Sequence, residues 1–136
     1  MNKTEVAIEN YKKSIVLKKN FTQAYHNLGN AYIDFGEPKN SLPHFNKALE
    51  IDPLYAEAYN GLGAANEKLG KINDALKYYK KAIEIKPKYS EAYYNLGTLL
   101  SSQSNYDEAI THLKKAINLN NNYEKAFNNL GNIFNI

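Results

Sequence analysis

Three histidines are the first candidates for metal binding or acid–base chemistry in this chain of 136 residues. His26, His44 and His112 have no second ligand at metal-binding spacing, and we expect them to lie on separate structural units. Because the chain has no cysteine, disulfides, thiolate metal sites and a cysteine nucleophile are excluded. No phosphate loop or nucleophile motif is present, and Asp107-Glu108 is expected at a helix start, where the helix dipole explains it. The sequence therefore predicts no metal, no cofactor and no catalytic residue.

Asparagine is the other side chain whose spacing indicates chemistry. Asn27, Asn95 and Asn129 each stand directly before a Leu-Gly pair, and Gly61 interrupts the series. An amide has two N–H donors and an acceptor oxygen, so a row of amides can hydrogen-bond a peptide backbone whatever its side chains. The alternative is that a chain with twenty asparagines forms such columns by chance.

These side chains must be positioned by a repeated element. Leu-Gly pairs recur at one constant offset, together with a preceding alanine and an aromatic ring. The pairs are Leu28-Gly29, Leu62-Gly63, Leu96-Gly97 and Leu130-Gly131. A fixed period of this length is typical of solenoid architectures.

Each repeat has the pattern of two amphipathic helices. Apolar and small residues follow the i, i+3, i+4 spacing before and after a glycine, Gly36 or Gly70, that suits a left-handed helix end. Pro53 and Pro87 are expected to close the second helix and turn the chain toward the next pair. Tyr79 is predicted to fill volume in the packing between the helices.

The sequence resembles the tetratricopeptide repeat family through residues 25–32 (YHNLGNAY), through Ala75 followed by Tyr79, and through Pro53 and Pro87. The resemblance implies an all-α fold, a right-handed α-solenoid of stacked antiparallel helix hairpins with a 34-residue period. Complete repeats are predicted at 22–55, 56–89, which matches the family pattern best, and 90–123. Residues 1–21 are predicted as the second helix of a truncated repeat, and residues 124–136 as the first helix of another.

In this family the first helices line a concave groove that takes extended peptide, so the resemblance also implies a site. Its expected peptide-binding residues are Asn27, Asn95, Asn129, His26, Asn60, Tyr94, Asn128, Asn30 and Asn132. The asparagine column looks like the ladder found in the repeat arrays of protein O-linked sugar transferases. A two-carboxylate clamp of the kind that grips chaperone tails is not expected, because its basic positions hold His26, Asn60, Tyr94 and Asn128.

The charge pattern bears on nucleic-acid and membrane partners. The net charge is only +3 and every basic residue is lysine, so no nucleic-acid or membrane partner is predicted. Lys12-Lys13, Lys80-Lys81 and Lys114-Lys115 recur in register and are interpreted as a solvated face, with Lys80 paired to Glu84. An anionic partner on this face is the alternative.

Two repeats depart from the pattern. Pro43 falls one turn inside a predicted helix, which we expect to be bent or loosened there. Ser104 replaces the turn glycine, and asparagines at 120–122 replace the closing proline, so we expect asparagine at positive φ to make that turn. Local stability is expected to fall in this repeat.

The ends are expected to be open, as if cut from a longer array, because no polar capping helix is recognisable. The first segment is predicted to present Ala7, Ile8, Tyr11 and Ile15, and the last to present Leu130, Ile133 and Phe134. The two half-repeats could complete one another between molecules, which gives a hypothesis of head-to-tail self-association.

The sequence thus predicts a non-catalytic protein or peptide scaffold in the cytoplasm or nucleus, serving as the substrate-recognition arm of a larger protein such as a sugar transferase. The alternative is a helical-repeat module that binds RNA, which would favour a longer period and a basic groove.

Overall fold

The structure, a computed structural model, describes the backbone of residues 2–17 and 22–135 and the side chains of residues 2–13 and 22–135. Within this part there are eight α-helices and no strand. They are α1 Lys3–Leu17, α2 Thr22–Asp34, α3 Pro38–Ile51, α4 Ala56–Lys68, α5 Ile72–Ile85, α6 Ser90–Ser102, α7 Tyr106–Leu119 and α8 Glu124–Phe134. None of the described helices has both the length and the apolar composition needed to cross a bilayer.

The helices pack as consecutive antiparallel hairpins, and this confirms the predicted all-α solenoid. The closest pairs are α2 with α3, α4 with α5 and α6 with α7, while α1 packs on α2 and α8 packs on α7. We call α2, α4, α6 and α8 the first helices, and α1, α3, α5 and α7 the second helices. The division of the sequence into repeat units at residues 22, 56, 90 and 124 stays a prediction.

A line of apolar clusters runs along the stack, because each hairpin buries its apolar face against its neighbours. Near α1 the cluster is small and consists of Ile8, Leu28 and Ala31. In the middle it is built around Phe45 and Leu62, and toward α8 it is built around Tyr79, Leu96 and Leu113.

Among the side chains that were expected to be presented at the ends, two are covered. Ile8 is 7% exposed and packs with Leu28 and Ala31 of α2, and Ile133 is 8% exposed against the cluster toward α8. The expectation is therefore wrong for Ile8 and Ile133, and the Ile15 side chain lies outside the described residues.

The turns inside the hairpins end each first helix with a left-handed residue. Gly36 has a φ of 85° and Gly70 a φ of 76°, as predicted. Ser104 has a φ of 61° and is the one non-glycine residue at positive φ among the described residues. The Asn105 N–H donates to the Leu100 carbonyl, the same bond that Lys71 makes to Asn66, so serine adopts the glycine turn.

The predicted turn at Asn120–Asn122 is wrong in its mechanism. Asn120 is extended, with a φ of −140°, and none of these asparagines has positive φ. Instead the Asn120 side-chain oxygen accepts a hydrogen bond from the Asn122 N–H at 3.2 Å. Asp52 does the same for Leu54 at 3.0 Å. The side chain therefore closes the turn, and no left-handed residue is needed.

The bend expected at Pro43 stays a prediction, and one further expectation, about the histidines, is wrong. Helix α3 runs without interruption from Pro38 to Ile51 although Pro43 lies inside it. Pro43 is exposed, and so is Lys39, whose carbonyl loses the N–H of residue 43 and can bond to water instead. His26 and His44 lie on α2 and α3, which form one hairpin, so the expectation of separate units is wrong for this pair.

Candidate functional site: an amide row on the first helices

The first helices form the inner side of the stack. Helix α2 contacts α4, α4 contacts α6, and α6 contacts α8. Within the described residues, α3 does not approach α5, and α5 does not approach α7. Hairpins that touch along one row and separate along the other must curve toward the touching row. The asparagine column therefore lies on the helices of the shorter, inner side.

Side-chain amides join neighbouring first helices along this row. The Asn95 Nδ2 donates to the Asn60 Oδ1 at 3.0 Å, which connects α6 to α4. The Asn129 Nδ2 lies 3.0 Å from the Thr98 Oγ1 and 3.3 Å from the Tyr94 hydroxyl, which connects α8 to α6. We call Asn60, Asn95 and Asn129, with the side chains that they contact, the amide row.

The exposure of these amides decides what each can offer to a ligand. Asn60 is 7% exposed, so it acts as a buried acceptor for Asn95. Asn95 and Asn129 are half-buried. An amide has two N–H groups, and one of the two on Asn95 is used toward Asn60. The other N–H and the carbonyl oxygen remain for a bound backbone.

The remaining predicted residues are not all brought together. His26 and Asn30 lie within one helix, with His26 Nε2 3.3 Å from Asn30 Nδ2. Asn27 and Asn30 line a separate cleft of about 300 Å³ beside α1. Asn128 and Asn132 are exposed on α8, where no hydrogen bond joins them to the row among the described residues.

Gly61 interrupts the asparagine column for a steric reason. Phe45 is fully buried and inserts between α2 and α4. A methyl group placed on Gly61 would lie 2.5 Å from the Phe45 Cζ, and one placed on Gly29 would lie 2.6 Å from the Cε1 of the same ring. Any side chain at residue 61 would therefore collide with Phe45, and the amide row begins at Asn60 rather than at Asn27.

Sequence reasoning missed a second column, the tyrosines that precede the later first helices. Tyr55, Tyr89 and Tyr123 recur at the same offset as the Leu-Gly pairs, which is the signal that would have revealed them. Tyr55 packs edge-on against His26 at 5.5 Å between ring centroids, and Tyr123 packs against Tyr94 at 4.9 Å. These tyrosines therefore cover the residues that immediately precede the asparagine column.

The tyrosines lie in a partly desolvated, negatively charged setting. Burial raises the pKa of the Tyr123 hydroxyl to about 12, and the Glu91 carboxylate adds to the shift. Burial likewise raises the pKa of Tyr89, with Glu91 and Glu57 adding and the Asn60 side chain opposing. Both hydroxyls stay protonated near neutral pH and can donate hydrogen bonds.

A cleft opens beside the amide row at the junction of α6 and α8. Its volume is about 440 Å³, and Tyr94 and Asn95 form one wall. The other lining residues are Glu91, Asn122, Tyr123, Glu124 and Lys125. This cleft can hydrogen-bond a backbone through Asn95 and hold a side chain against the two tyrosine rings. Its acidic residues favour a cationic side chain over an anionic one.

The lysine face lies on the second helices. A cleft of about 760 Å³ separates α3 from α5, with Tyr59 and Tyr78 at its base and Lys80 and Lys81 at its rim. The predicted pair of Lys80 with Glu84 is not formed, and the Lys81 Nζ lies 3.7 Å from the Glu84 carboxylate instead. Such an exposed pair contributes little to stability. In the described residues no three His, Asp or Glu side chains converge as metal ligands.

The comparisons with known proteins agree with this architecture. Tetratricopeptide repeat profiles match residues 21–88 and 78–111, and a TPR repeat profile matches residues 1–36 and 99–135. A search among curated proteins found no match to the chain.

Similar solved structures include the crystal structure of MamA, with 30% identity and a TM-score of 0.81, covering 97% of this chain and 77% of that chain. The MamA RS-1 ArsTM double mutant has 24% identity and a TM-score of 0.77, covering 96% and 73% of the two chains. The crystal structure of YrrB, described as a TPR protein with an unusual peptide-binding site, has 23% identity and a TM-score of 0.76, covering 92% and 64%. The last two likenesses show the fold alone. With its profile matches and the MamA similarity, the chain belongs to the tetratricopeptide repeat family.

Proposed function

We propose that this chain is a protein-binding scaffold that holds an extended peptide along its inner row of helices. The observation that carries the proposal is the amide row, in which Asn95 and Asn129 are held by Asn60, Tyr94 and Thr98 and stay half-exposed beside the cleft. Amides that are fixed in this way lose little side-chain entropy when a ligand binds. YrrB, which shares the fold, is described as having a peptide-binding site, and this supports the same role here.

The finer proposal concerns the class of ligand. Because amides address the peptide backbone, the row accepts unrelated sequences in an extended conformation. The resemblance to the asparagine ladder of sugar transferases leads us to propose that the chain serves as the substrate-recognition arm of such a protein. A sugar transferase domain encoded in the same gene would support this context, and a different catalytic or structural domain there would contradict it.

The test uses a set of unrelated fluorescent peptides and measures their binding to the chain by anisotropy. Replacing Asn95 or Asn129 by Ala should weaken the binding of all of them by a similar factor, roughly 2- to 10-fold for each amide hydrogen bond lost. Asn118→Ala is the matched control, because Asn118 is exposed on the second helix α7. Thermal unfolding of each variant separates a local loss from an unfolded repeat.

Two results would contradict the proposal. Peptide binding that is unchanged in Asn95→Ala and Asn129→Ala would remove the amide row from the site. Binding of single-stranded RNA with a steep dependence on salt would favour the RNA-binding alternative instead.

A further inference from the structure

The cleft between α3 and α5 lies on the opposite side of the stack from the amide row. We call it the outer cleft. Its volume of about 760 Å³ is in the range of sites that hold a small molecule or an anchoring side chain of a peptide. Its walls belong to two complete hairpins, α2 with α3 and α4 with α5, and neither α1 nor α8 lines it. The outer cleft is therefore a feature of the interior of the stack.

The floor of the outer cleft is apolar. Leu62 of α4 is 2% exposed, and Leu49 of α3 is half-buried. The rings of Tyr59 and Tyr78 stack beside them, with 6.3 Å between their centroids, and both side chains are half-buried. A large apolar side chain that entered the cleft would leave water and pack against these groups. The floor therefore offers a place for one such side chain.

The α5 wall of the outer cleft carries a row of lysines. Lys77, Lys80 and Lys81 stand at positions i, i+3 and i+4, which are neighbours on one helix face. Among the described residues, neither Lys77 nor Lys80 has a carboxylate within 4 Å. Like charges one turn apart repel each other, and a carboxylate bound between them relieves this repulsion.

The acidic residues at the rim do not supply that carboxylate. Glu50 on the α3 wall pairs with Lys47 at 3.1 Å, and Glu84 pairs with Lys81 at 3.7 Å. The excess charge at the rim is therefore that of the other two lysines on α5. An acidic ligand is favoured over a basic one because its charge complements this wall.

Two residues of the outer cleft depart from the repeat pattern. The positions of Lys77 and Tyr78 hold other residue types in the neighbouring repeats. These are Pro43, His44, Thr111 and His112. The neighbouring hairpins form with those residues, so packing within a hairpin does not require a lysine followed by a tyrosine. The Lys77 Nζ lies 5.6 Å from the centroid of the Tyr78 ring, and the two side chains together give this cleft a charged group beside an aromatic face.

We propose that the outer cleft is a second binding site, which takes an acidic peptide segment of another protein. One large apolar side chain of the segment packs on the floor, and carboxylates next to it in the sequence bind Lys77 and Lys80. The apolar side chain supplies most of the affinity, and the carboxylates supply orientation and selectivity. Because the two sites lie on opposite sides of the stack, one chain can hold a partner in the outer cleft and a peptide on the amide row together.

The chain contains no tryptophan, so a tryptophan in a peptide is a selective probe. We choose the peptide Glu-Asp-Trp-Asp-Glu with blocked ends and excite its indole where tyrosine does not absorb. Seating of the indole on the apolar floor should shift its emission to shorter wavelength, and titration of the shift gives the affinity. Added salt should weaken the binding, because the contacts with the lysines are exposed and screened.

Variants on both walls locate the probe. Lys80→Glu reverses one charge and should weaken probe binding by about 10-fold or more. Lys114→Glu is the matched control, because Lys114 is an exposed lysine at the same repeat position on α7 and the net charge changes equally. Asn46→Phe fills the cleft from the exposed α3 wall and should weaken binding by a similar factor. Thermal unfolding of each variant checks that the repeats stay folded.

Unlabelled relatives of the probe test the two parts of the ligand. A peptide with leucine in place of tryptophan should displace the probe, since it keeps both the apolar side chain and the carboxylates. A peptide with glycine at the centre, and one with glutamine and asparagine in place of the acids, should displace it at least about 10-fold less well. The unrelated peptides that test the amide row should bind Lys80→Glu as they bind the wild type, so the two sites are scored separately.

Four results would overturn the proposal. One is a probe whose emission does not shift at the highest chain concentration reached. Another is a loss of binding that is equal in Lys80→Glu and Lys114→Glu. A third is a shift that is abolished by Asn95→Ala, since the probe would then lie on the amide row. The fourth is displacement of the probe by single-stranded DNA as readily as by the leucine peptide, which would show a general attraction of anions to the lysines.

Discussion

Phe45 and Tyr79 occupy the same position in successive repeats, yet they produce different inner surfaces. Phe45 contacts glycines on two first helices, Gly29 and Gly61, and leaves no room for an asparagine between α2 and α4. Tyr79 contacts Gly63, and its hydroxyl donates to the Glu67 carboxylate at 2.7 Å. Asn95 then has space to bond to Asn60. The position of the Phe45 ring thus accounts for the gap in the amide row at residue 61.

The largest effect is expected from Phe45→Ala, because Phe45 is 0% exposed and fills the space between two first helices. We expect a loss of about 3–5 kcal/mol in the free energy of unfolding, from lost burial and the cavity that remains. Urea unfolding at low protein concentration measures it. The control is Phe134→Ala, the same substitution at a side chain that is 63% exposed, and an equal loss there would contradict the assigned role of Phe45.

A smaller loss, about 1–3 kcal/mol, is expected when asparagine is placed at Gly61, because its Cβ would collide with the Phe45 ring. In a Phe45→Leu background the same substitution should cost clearly less, since leucine occupies the equivalent position 113 beside Asn129. A double-mutant cycle on unfolding free energies measures this coupling. Strict additivity would show that Phe45 does not cause the gap, whereas coupling would mean that the row can be extended toward α2.

Tyr79→Phe makes the second junction chemically like the first. The variant keeps the ring in contact with Gly63 and removes the bond to Glu67, and we expect a loss of about 1 kcal/mol in unfolding free energy. Burial, with the Glu67 carboxylate, raises the pKa of Tyr79 well above its usual range. The hydroxyl therefore stays protonated and donates to Glu67 throughout the neutral range. Tyr78→Phe is the control, and an equal loss there would show that the bond to Glu67 does not contribute.

The smallest effect is a pH dependence at the first junction, where His26 occupies the position that Asn60 holds in the second. Burial lowers the pKa of His26, and the Glu57 carboxylate opposes the shift only in part. The unfolded state then binds the proton more readily, so stability is complete above the unfolded pKa of about 6.5 and falls as pH drops through the folded pKa. Thermal unfolding at about pH 7.5 and about pH 5.5 should show a lower Tm in acid.

His26→Asn should reduce this difference in Tm, because it copies the second junction and removes the titrating group. The difference that remains belongs to His44 and His112, whose pKa values are also lowered, chiefly by burial. An unchanged difference in the variant would exclude His26 as a source of the pH dependence.

The sequence predicted the fold well, because the regular recurrence of Leu-Gly, of small residues and of turn glycines reports local helix packing directly. Gly36 and Gly70 were correctly placed at positive φ on this basis. The Asn120 turn was missed because asparagine can close a turn by its side chain as well as by its backbone, and the sequence does not distinguish the two. Glu84 was assigned to Lys80 instead of Lys81, because the two lysines are adjacent and the sequence does not distinguish which of them turns toward the carboxylate.

The site was predicted only in part. The asparagine column was visible, but its gap at Gly61 depends on Phe45, a residue of the preceding second helix whose proximity only the three-dimensional packing reveals. The covering tyrosines at 55, 89 and 123 were overlooked because they precede the helices and lie outside the amphipathic pattern.

The open cleft between α3 and α5, opposite the contact between α2 and α4, gives the stack an unequal stiffness. When the stack bends, the outer clefts widen or narrow, while the touching first helices act as a hinge line of nearly constant length. We therefore expect the stack to deform more easily on its outer side than along the first helices. An extended peptide bound along the first helices would therefore meet binding residues at a nearly constant spacing, even while the outer clefts change in width.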